Sequence, residues 1–145
     1  MQSNPTRAMI GGFAATLAMT AMMYFVAPMM GLNMDIAQML GSMLGGIWAL
    51  GMMMHFVLGT VVFPLIYVLV LYAWLPGSPV VKGAVWGVIL WLLAQVVVMP
   101  MMGAGFFSMA MGGMMAAGGS LIGHVLYGAI LGAIAGTVDA RPVRA

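Results

Sequence analysis

Along the chain, long apolar runs alternate with short polar or glycine-rich pieces, and the run lengths carry the first structural message. From Arg7 to Met30 the only polar interruptions are Thr16, Thr20 and Tyr24. At a rise of 1.5 Å per residue, twenty-odd residues cross a hydrocarbon core of roughly 30 Å. This run is long for the apolar stretch of a signal peptide, and no small-x-small cleavage pattern ends it, so it reads as a retained membrane span. A second run extends from Ile47 to about Trp74, with Trp48 at one end and Tyr67, Tyr72 and Trp74 toward the other, placed as an aromatic belt at the interface. Pro64 lies inside it and predicts a loosened or kinked helix. The stretch Leu75-Pro76-Gly77-Ser78-Pro79 is a turn. A third span follows from about Val80 to Met102, with Gln95 as its buried polar group, and a fourth from about Ser120 to Val138.

Two connecting segments are neither spans nor ordinary loops. In Gly31 to Gly46, Asn33, Asp35, Gln38 and Ser42 share one side, while Met34, Leu40, Met43 and Leu44 fall largely on another. That pattern predicts a short amphipathic helix lying in the interface. Gly103 to Gly119 is rich in Gly, Ala and Met, and reads as a short interfacial or partly re-entrant helix.

Composition agrees with the pattern. Of 145 residues, 65% are hydrophobic and 4% charged, and the mean hydropathy is +1.18. A water-facing surface, which ordinarily carries about a quarter charged residues, cannot be built from this supply. The absence of cysteine excludes disulfides, thiolate metal sites and cysteine nucleophiles. The pI of about 9.4 rests on a net charge of only +2, with no basic patch to lay on phosphates, so nucleic-acid binding is excluded. No phosphate loop, dinucleotide fingerprint, Ser-His-Asp set or carboxylate pair is present, and an enzymatic role is not expected.

The four basic residues predict a topology. Arg7 precedes span one, Lys82 stands in the turn before span three, and Arg141 and Arg144 follow span four. With four spans these places share one side, which the positive-inside rule makes the cytoplasm; the two connecting segments then lie outside.

The halves of the chain echo one another. Pro28-Met29-Met30-Gly31 returns as Pro100-Met101-Met102-Gly103 at an offset of 72, at which Gly11 also meets Gly83. His55 and Gly59 meet His124 and Gly128 at an offset of 69. Within one membrane domain spanning 1–145, this predicts two parallel repeats, about 7–74 and 80–139, each a span, an outer interfacial piece and a span. The fold expected is all-α, with four transmembrane helices and short interfacial helices on the outer side.

The repeat draws attention to His55 and His124, the only histidines in the chain, each followed one helical turn later by a glycine. Both fall in the outer half of the membrane at similar depth, and the glycines leave a gap beside each ring that admits a close-packed helix or a flat ligand. Axial imidazoles on facing helices suit a b-type haem, although no basic pair on the outer side awaits its propionates. Imidazoles with soft thioethers suit copper(I), for which His55, His124, Met52, Met30 and Met102 are candidate ligands. Against both stands the plainer reading that each histidine hydrogen-bonds across the bundle, with Thr16, Thr20, Tyr24, Gln95, Ser120, Tyr127 or a carbonyl freed near a proline as partner. Gly83-x-x-x-Gly87 and Gly128-x-x-x-Gly132 fit close helix contacts inside the bundle. Trp86 and Trp91 lie deeper than a belt requires.

Arg7-x3-Gly11, Asp35-x2-Gln38-Met39-Leu40-Gly41, His55-Phe56-x2-Gly59-Thr60 with Pro64 and Tyr67, Met99-Pro100, and His124-x2-Tyr127-Gly128 resemble a bacterial family of small four-span inner-membrane proteins known as a domain of unknown function. The resemblance covers nearly the whole chain and implies a fold and an inner-membrane location, not an activity. The role expected is a non-catalytic accessory or structural subunit packed against a larger membrane complex, with a respiratory complex as the candidate. A haem- or copper-binding protein and a small transporter or channel are the alternatives.

Overall fold

A computed structural model describes residues 4–136, and every regular element among them is helical. Four helices are long and apolar enough to cross a membrane: α1 (Pro5–Met30), α3 (Trp48–Leu71), α4 (Pro79–Met101) and α5 (Gly113–Ala135). A short helix, α2 (Ile36–Ser42), joins α1 to α3. The protein is therefore a multi-pass, all-α membrane bundle. Asp139, Arg141 and Arg144, on which part of the expected topology rests, lie outside the described residues, as does the expected end of span four at Val138.

Local chemistry sets the helix ends. The Asn4 side chain accepts the Arg7 amide at 3.1 Å and Pro5 occupies the first turn of α1, where its missing N–H has no intrahelical partner to lose. Gly31, at φ 74, terminates α1 in the left-handed region open to glycine. Asp35 caps α2 through the Gln38 amide at 2.9 Å.

Each of the first three long helices carries a proline, and each proline stands two residues beyond a π-turn. The prolines are Pro28, Pro64 and Pro100, after π-turns at Met22–Val26, Leu58–Val62 and Ala94–Val98; a fourth π-turn, Tyr67–Leu71, has no proline behind it. The cause is steric. A proline ring collides with the carbonyl four residues back, and widening the preceding turn moves that carbonyl aside. The kink expected at Pro64 thus takes the form of a π-turn, and the same device recurs in α1 and α4 at the 72-residue offset noted above.

Glycine brings the helices together. A Cβ on Gly83, Gly87, Gly128 or Gly132 would meet the backbone of the opposing helix, so α4 and α5 touch main chain to main chain. Gly11 makes room for Leu131 and Ile134 of α5, and Gly12 for Pro64 and the Gly59 carbonyl of α3. Gly51 of α3 lies against the Ala37 carbonyl of α2. Named contacts between α3 and α4 cluster at the end of the bundle near the Pro76 turn: Phe63 with Trp86, Tyr67 with the Pro79 carbonyl, and Lys82 with Tyr72.

Three expectations change here. Tyr67 and Tyr72 do not form a belt; they are 0% and 5% exposed, stacked edge to face, because the tight turn folds α4 back over them. Trp74 remains outside, 85% exposed. Lys82 belongs to the first turn of α4 rather than to the loop, is buried, and donates from Nζ to the Tyr72 carbonyl at 2.7 Å. The segment Gly103–Gly119 is not one interfacial helix. It holds a 3-10 turn at Phe106–Ser108, and from Gly113 onward it is the opening of α5. Burial of Ala116 and Ala117, with the Trp91 indole donating to the Ala117 carbonyl at 2.8 Å, carries α5 beyond the expected start at Ser120.

Candidate functional site

The bundle holds a partly open cavity of about 200 Å³ at the end nearer Asp35, lined by all five helices. Thr16, Met19, Met22 and Met23 come from α1, and Ile36, Met39 and Leu40 of α2 close over it. His55, Leu58, Gly59 and Phe63 come from α3, Leu90, Leu93, Ala94, Val98 and Met99 from α4, and Ser120, Gly123, His124 and Tyr127 from α5. The wall is almost wholly apolar, and both histidines stand on it.

Their hydrogen bonds determine which ring nitrogen carries the proton. The Thr20 hydroxyl donates its single hydrogen to the Thr16 carbonyl at 2.7 Å, so toward His55 Nε2, 3.1 Å away, it accepts. His55 therefore holds its proton on Nε2 and keeps a bare lone pair on Nδ1. His124 Nδ1 lies 2.8 Å from the Ser120 carbonyl, which only accepts, so the proton sits on Nδ1 and Nε2 is bare. Among the described residues neither bare nitrogen has a hydrogen-bond partner. Both imidazoles thus stand on the wall of an otherwise apolar cavity.

A cross-bundle bond ties the two histidine-bearing helices together. In the widened turn of α3 the Phe63 amide bonds the Leu58 carbonyl, so the next amide in that register would take Gly59. That next residue is Pro64, which has no N–H, and the Gly59 carbonyl is left over. The Tyr127 hydroxyl donates to it at 2.6 Å. His55 and His124 each stand about one turn before the residue of their own helix that makes this bond.

Second and third polar elements brace the site. Ser108 donates to Gln95 Oε1 at 2.9 Å, Gln95 donates to Ser120 Oγ at 3.5 Å, and Ser120 Oγ lies 3.3 Å from His124 Nδ1. Phe107 and Ser108 hold positive φ of 51° and 56°, a costly conformation that aims Ser108 at Gln95. Above the cavity, Asp35 accepts from the Tyr24 hydroxyl of α1 at 2.8 Å and the Trp48 indole of α3 at 3.0 Å besides capping α2. Burial acts to raise the Asp35 carboxyl pKa, but these three hydrogen bonds outweigh it and hold the value below the ordinary carboxylate level.

The placements of the expected site residues now follow. His55 and His124 are brought to one cavity; Met30, Met52 and Met102 do not line it, and Met30 is 59% exposed. The methionines that do line it are Met19, Met22, Met23, Met34, Met39 and Met99. The gaps beside the histidines are filled by helices: Thr16 occupies the space at Gly59, and the backbone of Gly83 and Gly87 that at Gly128. Of the partners anticipated, Thr20 and Ser120 hold the histidines, whereas the carbonyl freed near Pro64 is taken by Tyr127. A haem fits poorly. The cavity is smaller than the roughly 300–1,000 Å³ typical of drug-sized ligands, and the described cations, Arg7 and Lys82, stand at the opposite end, bonded to the Ile134 and Tyr72 carbonyls.

Fold and site together define a class: a small polytopic helical membrane protein with an apolar, histidine-bearing cavity among its spans. The chain belongs to the family of unknown function DUF6789, whose profile matches residues 2–145. No curated protein and no solved structure matches it.

Proposed function

We propose that this protein is a non-catalytic binding protein that holds one small lipid-soluble molecule in the cavity beneath α2. The observation that carries this reading is the pair of imidazoles, His55 and His124, in a wall otherwise built mostly of methionine, leucine and other apolar residues. Ligand pockets characteristically combine an apolar lining with a few placed polar groups, and methionine adapts its shape to a bound molecule. Protein purified from its native membrane in mild detergent, extracted with solvent and examined by mass spectrometry, is expected to yield one apolar compound near equimolar amount. A Gly123→Phe variant, which fills the cavity, should lose it. A native preparation without any such compound, insensitive in thermal stability to added apolar molecules, refutes the reading.

A second reading rests on the same imidazoles. Two unprotonated imidazoles with thioethers nearby form a soft donor set for copper(I), and the Nδ1–H bond of His124 to a carbonyl is the orienting contact that metal-bound histidines use. Its ligands would be His55 and His124 with thioethers from the lining methionines, not Met30, Met52 or Met102. Elemental analysis of the same native preparation separates the two readings.

The location proposed is a bacterial inner membrane, with Arg7 and Lys82 on the cytoplasmic side and the cavity in the outer half, on the positive-inside rule. The recurrence of π-turn and proline in α1 and α4 supports duplication of a two-span unit. Service as an accessory subunit of a larger membrane complex is supported by the scant mass outside the spans, and a co-purifying integral subunit in the native preparation is its test.

A further inference from the structure

We infer that the cavity takes the hydrocarbon chain of a membrane lipid, admitted sideways from the bilayer between α3 and α4. This rests on the binding role proposed above and names the class of molecule and its route. The route follows from the seams of the bundle. In the half that holds the cavity, α1 is tied to α3 by the Thr20–His55 hydrogen bond and by Thr16 seated against Gly59. Met19 and Met22 of α1 lie against Gly123 of α5. The Trp91 indole and Gln95 of α4 donate to the Ala117 carbonyl and to Ser120 Oγ of α5. The seam between α3 and α4 is different. Among the described residues its named contacts stand toward the Pro76 turn, and close backbone approach runs along the other three seams but not along this one. Leu93 marks the gap. It follows Trp86 by two helical turns, so it stands on the face of α4 that meets Phe63 of α3, yet it is 48% exposed while also lining the cavity.

What enters through that gap comes from hydrocarbon. Toward water the cavity is covered by Ile36, Met39 and Leu40 of α2. Met39 packs with Met99 and Ala104, and Asp35 is held by Tyr24 and Trp48, so the cover is fastened to α1, α3 and the end of α4. No Asp, Glu, Lys or Arg is among the described residues that line the cavity, and a charged solute finds nothing there to replace its hydration. Size then selects one chain. From Leu90 to Met99 the α4 wall rises about 14 Å, close to half of a hydrocarbon core of roughly 30 Å, the reach of one leaflet's chains. A dry cavity of about 150 Å³ accepts benzene, so the cavity here holds about eight carbons in proportion. A single turn of a partner helix, by contrast, fills about 400 Å³. The flexible side chains of the lining methionines can follow the bends of such a chain.

The test uses the full chain in vesicles of phosphatidylcholine, part of which carries a photoactivatable diazirine midway along one acyl chain. Adducts formed on illumination are mapped by peptide mass spectrometry. They are expected on the buried cavity residues Leu90 and Tyr127 as well as on the exposed Ile122 and Val96. Leu93→Trp, which fills the gap, should lose the interior adducts and keep those on Ile122. Leu92→Trp, on an exposed residue outside the lining, should change neither. Thermal stabilisation by tetramethylbenzene in detergent reports separately on whether the cavity binds apolar molecules. Adducts confined to exposed residues, with stabilisation by tetramethylbenzene, overturn the lipid-chain assignment and leave the binding role standing. Interior adducts that survive Leu93→Trp overturn the route between α3 and α4. Absence of both interior adducts and stabilisation overturns the binding role itself. The wild-type map decides the assignment even where a tryptophan variant fails to fold.

Discussion

Replacing Tyr127 with phenylalanine removes one oxygen, and the structure says why that oxygen matters. It is the donor to the Gly59 carbonyl, which the widened turn of α3 and the missing N–H of Pro64 leave without a helical partner. The residue is 3% exposed, so no water replaces the lost donor. An unsatisfied buried acceptor costs about 1–3 kcal/mol, whereas hydrogen bonds between membrane helices measure about 0.6 and at most about 1.7. At 2.6 Å to an otherwise orphaned carbonyl, the loss should fall near the top of the membrane range, about 1–2 kcal/mol, or roughly 5- to 30-fold in the unfolding equilibrium. The decisive perturbation is a double-mutant cycle with Pro64→Ala. An alanine restores the amide that can bond Gly59, so in that background Tyr127→Phe should cost less than about 0.5 kcal/mol. Packing lost when the proline ring leaves Gly12 appears in both halves of the cycle and cancels. Reversible unfolding in mixed micelles, followed by far-UV circular dichroism, measures all four corners. An equal cost of Tyr127→Phe with and without Pro64 would show that the tyrosine does not compensate for the proline.

Other outcomes follow from the same packing and charges. Gly128→Ala places a methyl within 2.9 Å of Gly87 N and against the Gly83 carbonyl, backbone atoms with no rotamer to yield; a cost of about 3 kcal/mol or more is expected from unfolding, with Gly118→Ala, which meets nothing within 4 Å, as the near-neutral control. Gln95→Leu breaks the Ser108–Gln95–Ser120 chain and should raise hydrogen exchange selectively in residues 103–112; uniform exchange across the chain would argue against a bracing role. Because the Asp35 pKa is lower folded than unfolded, its contribution is present above the unfolded value near 4 and is lost as pH falls through the lower, folded one. The Trp48 environment should loosen over that acid range in wild type but not in Asp35→Asn, as read by fluorescence in variants retaining Trp48 alone; identical titrations would exclude Asp35 as the group responsible.

Much of the architecture was legible before any coordinates. Run lengths between Arg7 and Met30, Ile47 and Trp74, and Val80 and Met102 specified three of the four spans to within a few residues, since a bilayer imposes a length that apolar composition records directly. The cap-forming Asp35-x2-Gln38 and the hinge-forming prolines also act through neighbours in sequence. The start of α5 was not legible, because a run of Gly, Ala and Met carries little period and the decision belongs to Trp91 and the burial of Ala116 and Ala117. Aromatic residues near a span end were ambiguous for a related reason: only the fold of α4 over α3 separates the buried Tyr67 and Tyr72 from the exposed Trp74.

The candidate site divides in the same way. The sequence by itself determined that two imidazoles must lie at similar depth in an apolar bundle, each beside a glycine. Which methionines accompany them, Met19, Met22 and Met99 rather than Met30, Met52 and Met102, depended on helix rotation, for which a chain with 20 methionines supplies almost no contrast. The protonation pattern was further out of reach. It hangs on the direction of the Thr20 hydroxyl, which bonds within α1, and on the Ser120 carbonyl one turn before His124. Spans are recorded in composition because lipid acts on every residue alike; a pair of imidazoles on the wall of one cavity exists only once five helices have settled against each other.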